Sequence, residues 1–148
     1  MVERRERPWF WNVLIVITII VVLCVFTAHY KNWAKIKSDS FRIFSGFYFK
    51  EIRFSELDSV VWSDKIPPMV RLNGFSAMEK EKGIYREFKD SLTDKKVNVF
   101  VDNLSDPKIK LIYRDSLKLF FNLSDSTDTQ QLYQQLSIRV DSLAPYAP

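Results

Sequence analysis

The stretch that decides the architecture is WFWNVLIVITIIVVLCVFTA, residues 9–28. It contains no charged side chain, and its polar residues are Asn12, Thr18 and Thr27. A helix of this length extends about 30 Å, which matches the hydrocarbon thickness of a bilayer. Inside lipid a helix satisfies its own backbone hydrogen bonds, whereas an irregular segment does not. The stretch therefore predicts one transmembrane helix, which we place at residues 9–30.

Aromatic residues flank this apolar stretch, with Trp9 and Trp11 at its start and Tyr30 and Trp33 after its end. Such residues are typical of the two membrane interfaces. A cleaved signal peptide is the main alternative, because arginines precede the apolar residues. The stretch is longer than the apolar part of a usual signal peptide, and no small-x-small cleavage pattern follows it. We therefore expect a retained single-pass anchor that contacts the lipid bilayer from Trp9 to Ala28.

The positive charge of the chain lies around this anchor. Residues 1–37 contain six Lys/Arg against two Asp/Glu, whereas from Ser38 onward there are 16 of each kind. A nucleic-acid-binding domain would carry a positive field on its folded surface, so we expect no nucleic-acid partner. Three arginines precede the anchor, and four basic residues follow it closely. This near balance leaves open which side of the membrane the rest of the chain occupies.

The sequence offers no recognisable catalytic or cofactor-binding set. Cys24 and His29 are the single cysteine and the single histidine, and a zinc site takes about four ligands. With His29 at the headgroup level and no second histidine, Ser-His-Asp and Cys-His catalysis are excluded within this chain. The three glycines lie too far apart in the sequence for a phosphate-binding loop. We expect a protein that is not an enzyme, without catalytic, cofactor-binding or metal-binding residues, and its ligand-binding residues are unknown.

Short β-prone runs dominate the sequence after a polar juxtamembrane linker at residues 31–40. Phe, Tyr, Val and Ile recur in short runs separated by turn residues, which is typical of antiparallel strands. These runs lie at residues 44–49, 52–54, 59–62, 70–72, 84–88, 97–101, 109–113 and 117–121. Asn73-Gly74 predicts a turn or a bulge, and Arg114-Asp115-Ser116 predicts a tight hairpin. The pattern therefore predicts about seven strands, and short antiparallel strands at this spacing indicate a small barrel or a sandwich.

The pattern changes to helical spacing after Ser124. Leu132, Tyr133, Leu136 and Val140 fall on one face of a helix. Ser124 or Asp125 can cap its start, and Asp128 suits the positive end of the helix dipole. We expect this helix to cover one open end of the β structure and the tail at residues 144–148 to be loose.

The order of these signals, over roughly residues 46–136, resembles the bacterial pleckstrin-homology-like (PH-like) domains that are often carried behind a membrane helix. The resemblance is carried by Ser55-Glu56-Leu57-Asp58-Ser59-Val60, Ile66-Pro67-Pro68, Arg71, Asn73-Gly74-Phe75, Gly83, Val99-Phe100-Val101, Pro107 before Ile109, Asn122, Thr129, Leu132-Tyr133 and Leu136. It departs from the family between Gly74 and Gly83, where Met78, Glu79, Lys80, Glu81 and Lys82 stand in place of small residues.

The resemblance implies a mainly β fold, a seven-stranded antiparallel PH-like barrel capped by a C-terminal helix, at residues 41–143. A short basic tail at residues 1–8 and the transmembrane helix precede it. We expect a membrane-anchored, non-catalytic binding or scaffolding module in the bacterial cytoplasmic membrane, which engages a protein partner or forms a homo-oligomer. The alternative is recognition of lipid headgroups, for which Lys50 and Arg53 are the nearest approach to a basic pair.

Overall fold

The computed structural model describes residues 8–88 and 95–143. The predicted basic and loose tails, apart from Pro8, lie outside the described residues. Helix α1 spans Trp9–Tyr30, is long and apolar enough to cross a membrane, and buries none of its residues against the rest of the chain. An N-terminal apolar helix with the predicted bounds is therefore confirmed.

The strands of the described chain form two sheets. The first sheet contains β1 (Trp33–Ile36), β2 (Ser40–Ser45) and β3 (Tyr48–Arg53), all antiparallel in that order. Strand β1 lies in the segment that the sequence analysis assigned to a linker. It pairs with β2 because Ala34 and Ile36 turn towards the core while Trp33 and Lys35 face outward.

The second sheet contains six strands in the order β4-β8-β9-β7-β6-β5. Their bounds are β4 Leu57–Ser63, β5 Met69–Ala77, β6 Lys80–Glu87, β7 Lys96–Val101, β8 Lys108–Tyr113 and β9 Leu117–Phe121. A 3₁₀ turn at Phe54–Glu56 precedes β4, and helix α2 spans Ser126–Leu143 after β9. The chain is therefore mainly β, with the expected C-terminal helix.

Two features differ from the expected seven-stranded antiparallel barrel. The described residues form nine strands in two sheets, and β7 pairs with β9 in parallel. β1 adds a strand because it uses linker residues. The continuous strand predicted at residues 44–49 is wrong, because the chain turns at Gly46 (φ +62) between β2 and β3. The parallel pair arises because the β8–β9 hairpin inserts between β4 and β7, so that β9 runs in the direction of β7.

The main core lies between the two sheets and α2. Its largest buried members are aromatic or branched, and Leu132 and Leu136 of α2 close it. A smaller cluster lies on the other face of the second sheet, where Val97, Val99 and Val101 alternate with core-facing residues. Ile66 and Met69 pack against this second cluster.

The Asn73-Gly74 motif, expected to form a turn or a bulge, forms a bulge. It lies within β5, where the register shifts between Arg71 and Asn73. Gly74 (φ +128) faces Gly83 across the β5–β6 pair, and a Cβ at Gly74 would overlap the carbonyl oxygen of Lys82. The backbones therefore approach more closely than other residues allow.

The predicted hairpin and helix cap are both present. Residues 114–116 connect β8 and β9, as expected. Asp125 caps α2, because its carboxylate accepts the N–H groups of Thr127 at 2.7 Å and Asp128 at 3.3 Å.

Candidate functional site

Two lysines from β6 hold the C-terminal end of α1. The Lys80 ammonium donates to the carbonyl of Tyr30 at 2.6 Å, and the Lys82 ammonium donates to the carbonyl of His29 at 3.2 Å. Lys80 also lies 5.1 Å from the centre of the Tyr30 ring. The last carbonyls of a helix lack intrahelical partners and form the negative end of its dipole, so cations stabilise this position. The two lysines therefore act as a C-terminal cap for α1.

Asp102, just after β7, connects this cap to the domain. Its Oδ1 lies 2.8 Å from the Lys82 ammonium, and both side chains are fully buried. Its Oδ2 accepts the backbone N–H of Asn32 at 2.6 Å and the hydroxyl of Ser124 at 3.0 Å. One carboxylate thereby joins the residues after α1, strand β6 and the connection between β9 and α2.

Asn32 fixes the first residues after α1 in the same place. Its side-chain amide donates to the carbonyl of Phe100 at 2.6 Å and to that of Asn122 at 2.8 Å. Asn122 in turn accepts the N–H of Asp102 at 2.8 Å and donates to the carbonyl of Asn103 at 2.6 Å. Because Asn32 and Asn122 are buried, the chain is held to the domain from the second residue after α1.

We name Asn32, Lys80, Lys82, Asp102 and Asn122 the helix–domain junction. Burial lowers the pKa of Lys82, and the hydrogen bond and charge of Asp102 oppose that shift. The junction groups bond to one another and to backbone carbonyl and N–H groups of α1 and the domain. In the part of the chain that the structure describes, no group of three or more His, Cys, Asp or Glu side chains could hold a metal ion.

His29 packs the end of α1 against two apolar side chains of the domain. Its ring centre lies 4.4 Å from that of Phe47 and 5.5 Å from that of Phe75. Gly46 (φ +62) allows this contact, because a Cβ there would lie 2.6 Å from the His29 ring. His29 therefore occupies a packing position at the boundary between helix and domain. Cys24, about one turn and a half earlier on α1, is exposed.

The structure separates the basic residues considered for headgroup binding. Lys50 is half-buried, 5.9 Å from the centre of the Tyr113 ring, whereas Arg53 is exposed at the end of the same strand. Residues three apart in a strand point to opposite faces, so the two cations do not converge. Arg71 and Asn73 flank the β5 bulge described above.

Sequence reasoning missed the helix–domain junction. Its members lie up to 90 residues apart, and no local pattern joins them. One signal was present, since the segment from Met78 to Lys82 departs from the PH-like pattern by carrying charges in place of small residues. Two of those charges, Lys80 and Lys82, are the ones that cap α1.

Comparison with known proteins assigns the chain to no family. No family model matches it, and neither the curated proteins nor the solved structures contain a significant match.

Proposed function

We propose that the chain is a single-pass membrane protein whose β domain is a non-catalytic binding or scaffolding module of the bacterial PH-like kind, presented to a protein partner in one fixed orientation. Helix α1 is the anchor, in contact with lipid from Trp9 to Ala28. The helix–domain junction is the observation that carries this proposal. A flexible linker between α1 and the β domain would be sufficient for a protein that only has to stay at the membrane.

The buried ion pair supports a role in orientation. Removing two charges from water costs several kcal/mol per ion, which their mutual attraction only partly returns. A buried pair such as Lys82–Asp102 is therefore weak as a source of stability, and its best-attested use is to specify one arrangement. Here the specified arrangement is the direction in which the domain projects from the end of α1. Fixed direction matters when a particular surface has to meet a partner.

The first half of strand β5, residues 69–72, is the surface we assign to the partner. Strand β5 is an end strand of the second sheet, nine residues long, and it exposes Val70 and Leu72. At the opposite end of that sheet, β4 packs against α2. The unpaired backbone of an edge strand can accept a further strand, from another protein or from a second copy.

Lipid-headgroup recognition is less well supported. Binding a phosphorylated headgroup requires several cations that converge on one point. Lys50 and Arg53 lie on opposite faces of β3, so they cannot act together on one phosphate. The free edge of β5 therefore favours a protein partner.

Site-specific photo-crosslinking tests this function in the full chain. We would place p-benzoylphenylalanine at Leu72 and, as a control, at the exposed Gln134 of α2, and irradiate intact membranes. The expected result is a discrete protein adduct from Leu72 that Gln134 does not form, and an adduct of twice the chain mass identifies a second copy. No adduct from Leu72, or the same adducts from both positions, would contradict the assignment of β5.

A further inference from the structure

An apolar groove separates α1 from the tips of the two sheets. One wall consists of Val21, Val22, Val25 and Phe26 of α1, and the other consists of Phe47 and Phe75. The groove has a volume of about 500 Å³. His29 closes it at the end nearest the helix–domain junction.

We propose that this groove and the domain surface around it are inserted into the bilayer, with lipid acyl chains filling the groove. This rests on the proposed membrane insertion of α1. The groove follows the helix from His29 back to Val21, about 12 Å at 1.5 Å per residue. If residues 9–28 fill the hydrocarbon layer, then Phe26 and Val21 lie inside it, and Phe47 faces the same medium. Water does not fill an apolar groove favourably, whereas acyl chains do.

Met78 provides independent support for this placement. It occupies the β5–β6 turn with φ +54, a conformation that glycine or asparagine adopts more readily. Its side chain is 98% exposed in the isolated chain and borders a surface cleft beside Tyr30, the last residue of α1. At a membrane surface, the same side chain is buried in lipid.

The outer face of the first sheet shows the pattern of a membrane interface. Trp33, Phe44 and Phe49 are cross-strand neighbours and form an aromatic row that is about half exposed. This row adjoins the β2–β3 turn that carries Phe47. The next row outward on the same face consists of Lys35, Arg42 and Glu51. Aromatic side chains at the helix end followed by charged ones further away match the transition from headgroups to water.

Depth-dependent fluorescence quenching tests the proposal on the full chain in lipid nanodiscs. In a Cys24→Ser background, single cysteines are introduced as Phe47→Cys, Phe75→Cys, Val16→Cys and Ile138→Cys, and each is labelled with the environment-sensitive fluorophore NBD. The nanodiscs contain phosphatidylcholine with a nitroxide quencher on the acyl chain. Ile138 on α2 is the matched control, because it is exposed and apolar like Phe47.

The expected result is strong acyl-chain quenching at positions 16, 47 and 75 and none at position 138. Quenching at position 16 without quenching at 47 and 75 would overturn the lipid-filled groove while leaving α1 in the membrane. No quenching at position 16 would overturn the membrane insertion of α1 and the groove proposal with it. Disulfide formation between two copies of the unlabelled Phe47→Cys protein under an added oxidant, without quenching of the labelled protein at position 47, would show that a second copy fills the groove and would also overturn the proposal.

Discussion

Removal of the Asp102 carboxylate should destabilise the domain far more than removal of a surface carboxylate. In Asp102→Ala, the Lys82 ammonium stays buried with the His29 carbonyl at 3.2 Å as its remaining close partner. The N–H of Asn32 and the hydroxyl of Ser124 also lose their acceptor. Breaking a buried pair by removing one partner costs about 3–5 kcal/mol. For a domain of this size that corresponds to a fall in Tm of about 12 °C or more.

The assay is thermal unfolding of the full chain in detergent, followed by near-ultraviolet circular dichroism. Glu56→Ala is the matched control, because Glu56 pairs with Arg114 at 3.0 Å on the surface, where solvent screens the two charges. A double variant, Asp102→Ala with Lys82→Met, should recover part of the loss because the unpaired charge is gone. Equal Tm changes in Asp102→Ala and Glu56→Ala would refute the reasoning.

Three further predictions concern other parts of the domain. Gly83→Ala should lower the free energy of unfolding, measured by chemical denaturation, by about 1–3 kcal/mol, because the added Cβ would overlap the Asn73 carbonyl oxygen. Ser76→Ala on the neighbouring strand is the control and should be nearly neutral. Leu136→Ala should lower the free energy of unfolding by about 2–5 kcal/mol in the same assay, because this side chain is fully buried between α2 and the sheets. An effect as small as that of Ser76→Ala would contradict the core described here. The N–H groups of Thr127 and Asp128 hold the pKa of Asp125 below its ordinary value of 3.8. The stabilisation from this cap is therefore fully present above pH 3.8 and is lost as the pH falls through the lower pKa of the folded state. Helicity measured by circular dichroism should therefore fall more on acidification in the unmodified protein than in Asp125→Ala, and parallel curves would contradict the cap.

Local chemistry accounts for the features that the sequence could predict. The uncharged residues 9–28, the helical spacing of Leu132 and Leu136 and the turn at residues 114–116 each act over a few neighbouring residues, and all three are present. Asn73-Gly74 was ambiguous between turn and bulge. The choice depends on Gly83 across the pair, which a reading of the local sequence does not include.

Long-range pairing explains what the sequence could not predict. Trp33–Ile36 is short and polar in part, and it forms a strand because all four of its residues pair with β2. The parallel pairing of β7 with β9 depends on where the β8–β9 hairpin inserts. The helix–domain junction joins Asn32 to residues 68 to 90 positions later, so its members look like ordinary polar residues in the sequence.

The distance distribution between two spin labels tests most directly whether α1 and the β domain form one rigid unit. The labels would be attached at Thr27→Cys on α1 and Ile138→Cys on α2, in a Cys24→Ser background, and measured by pulsed electron paramagnetic resonance in nanodiscs. A single narrow distribution that broadens in Asp102→Ala is the predicted result. A distribution in the otherwise unmodified chain as broad as that of a flexible tether would contradict a rigid unit.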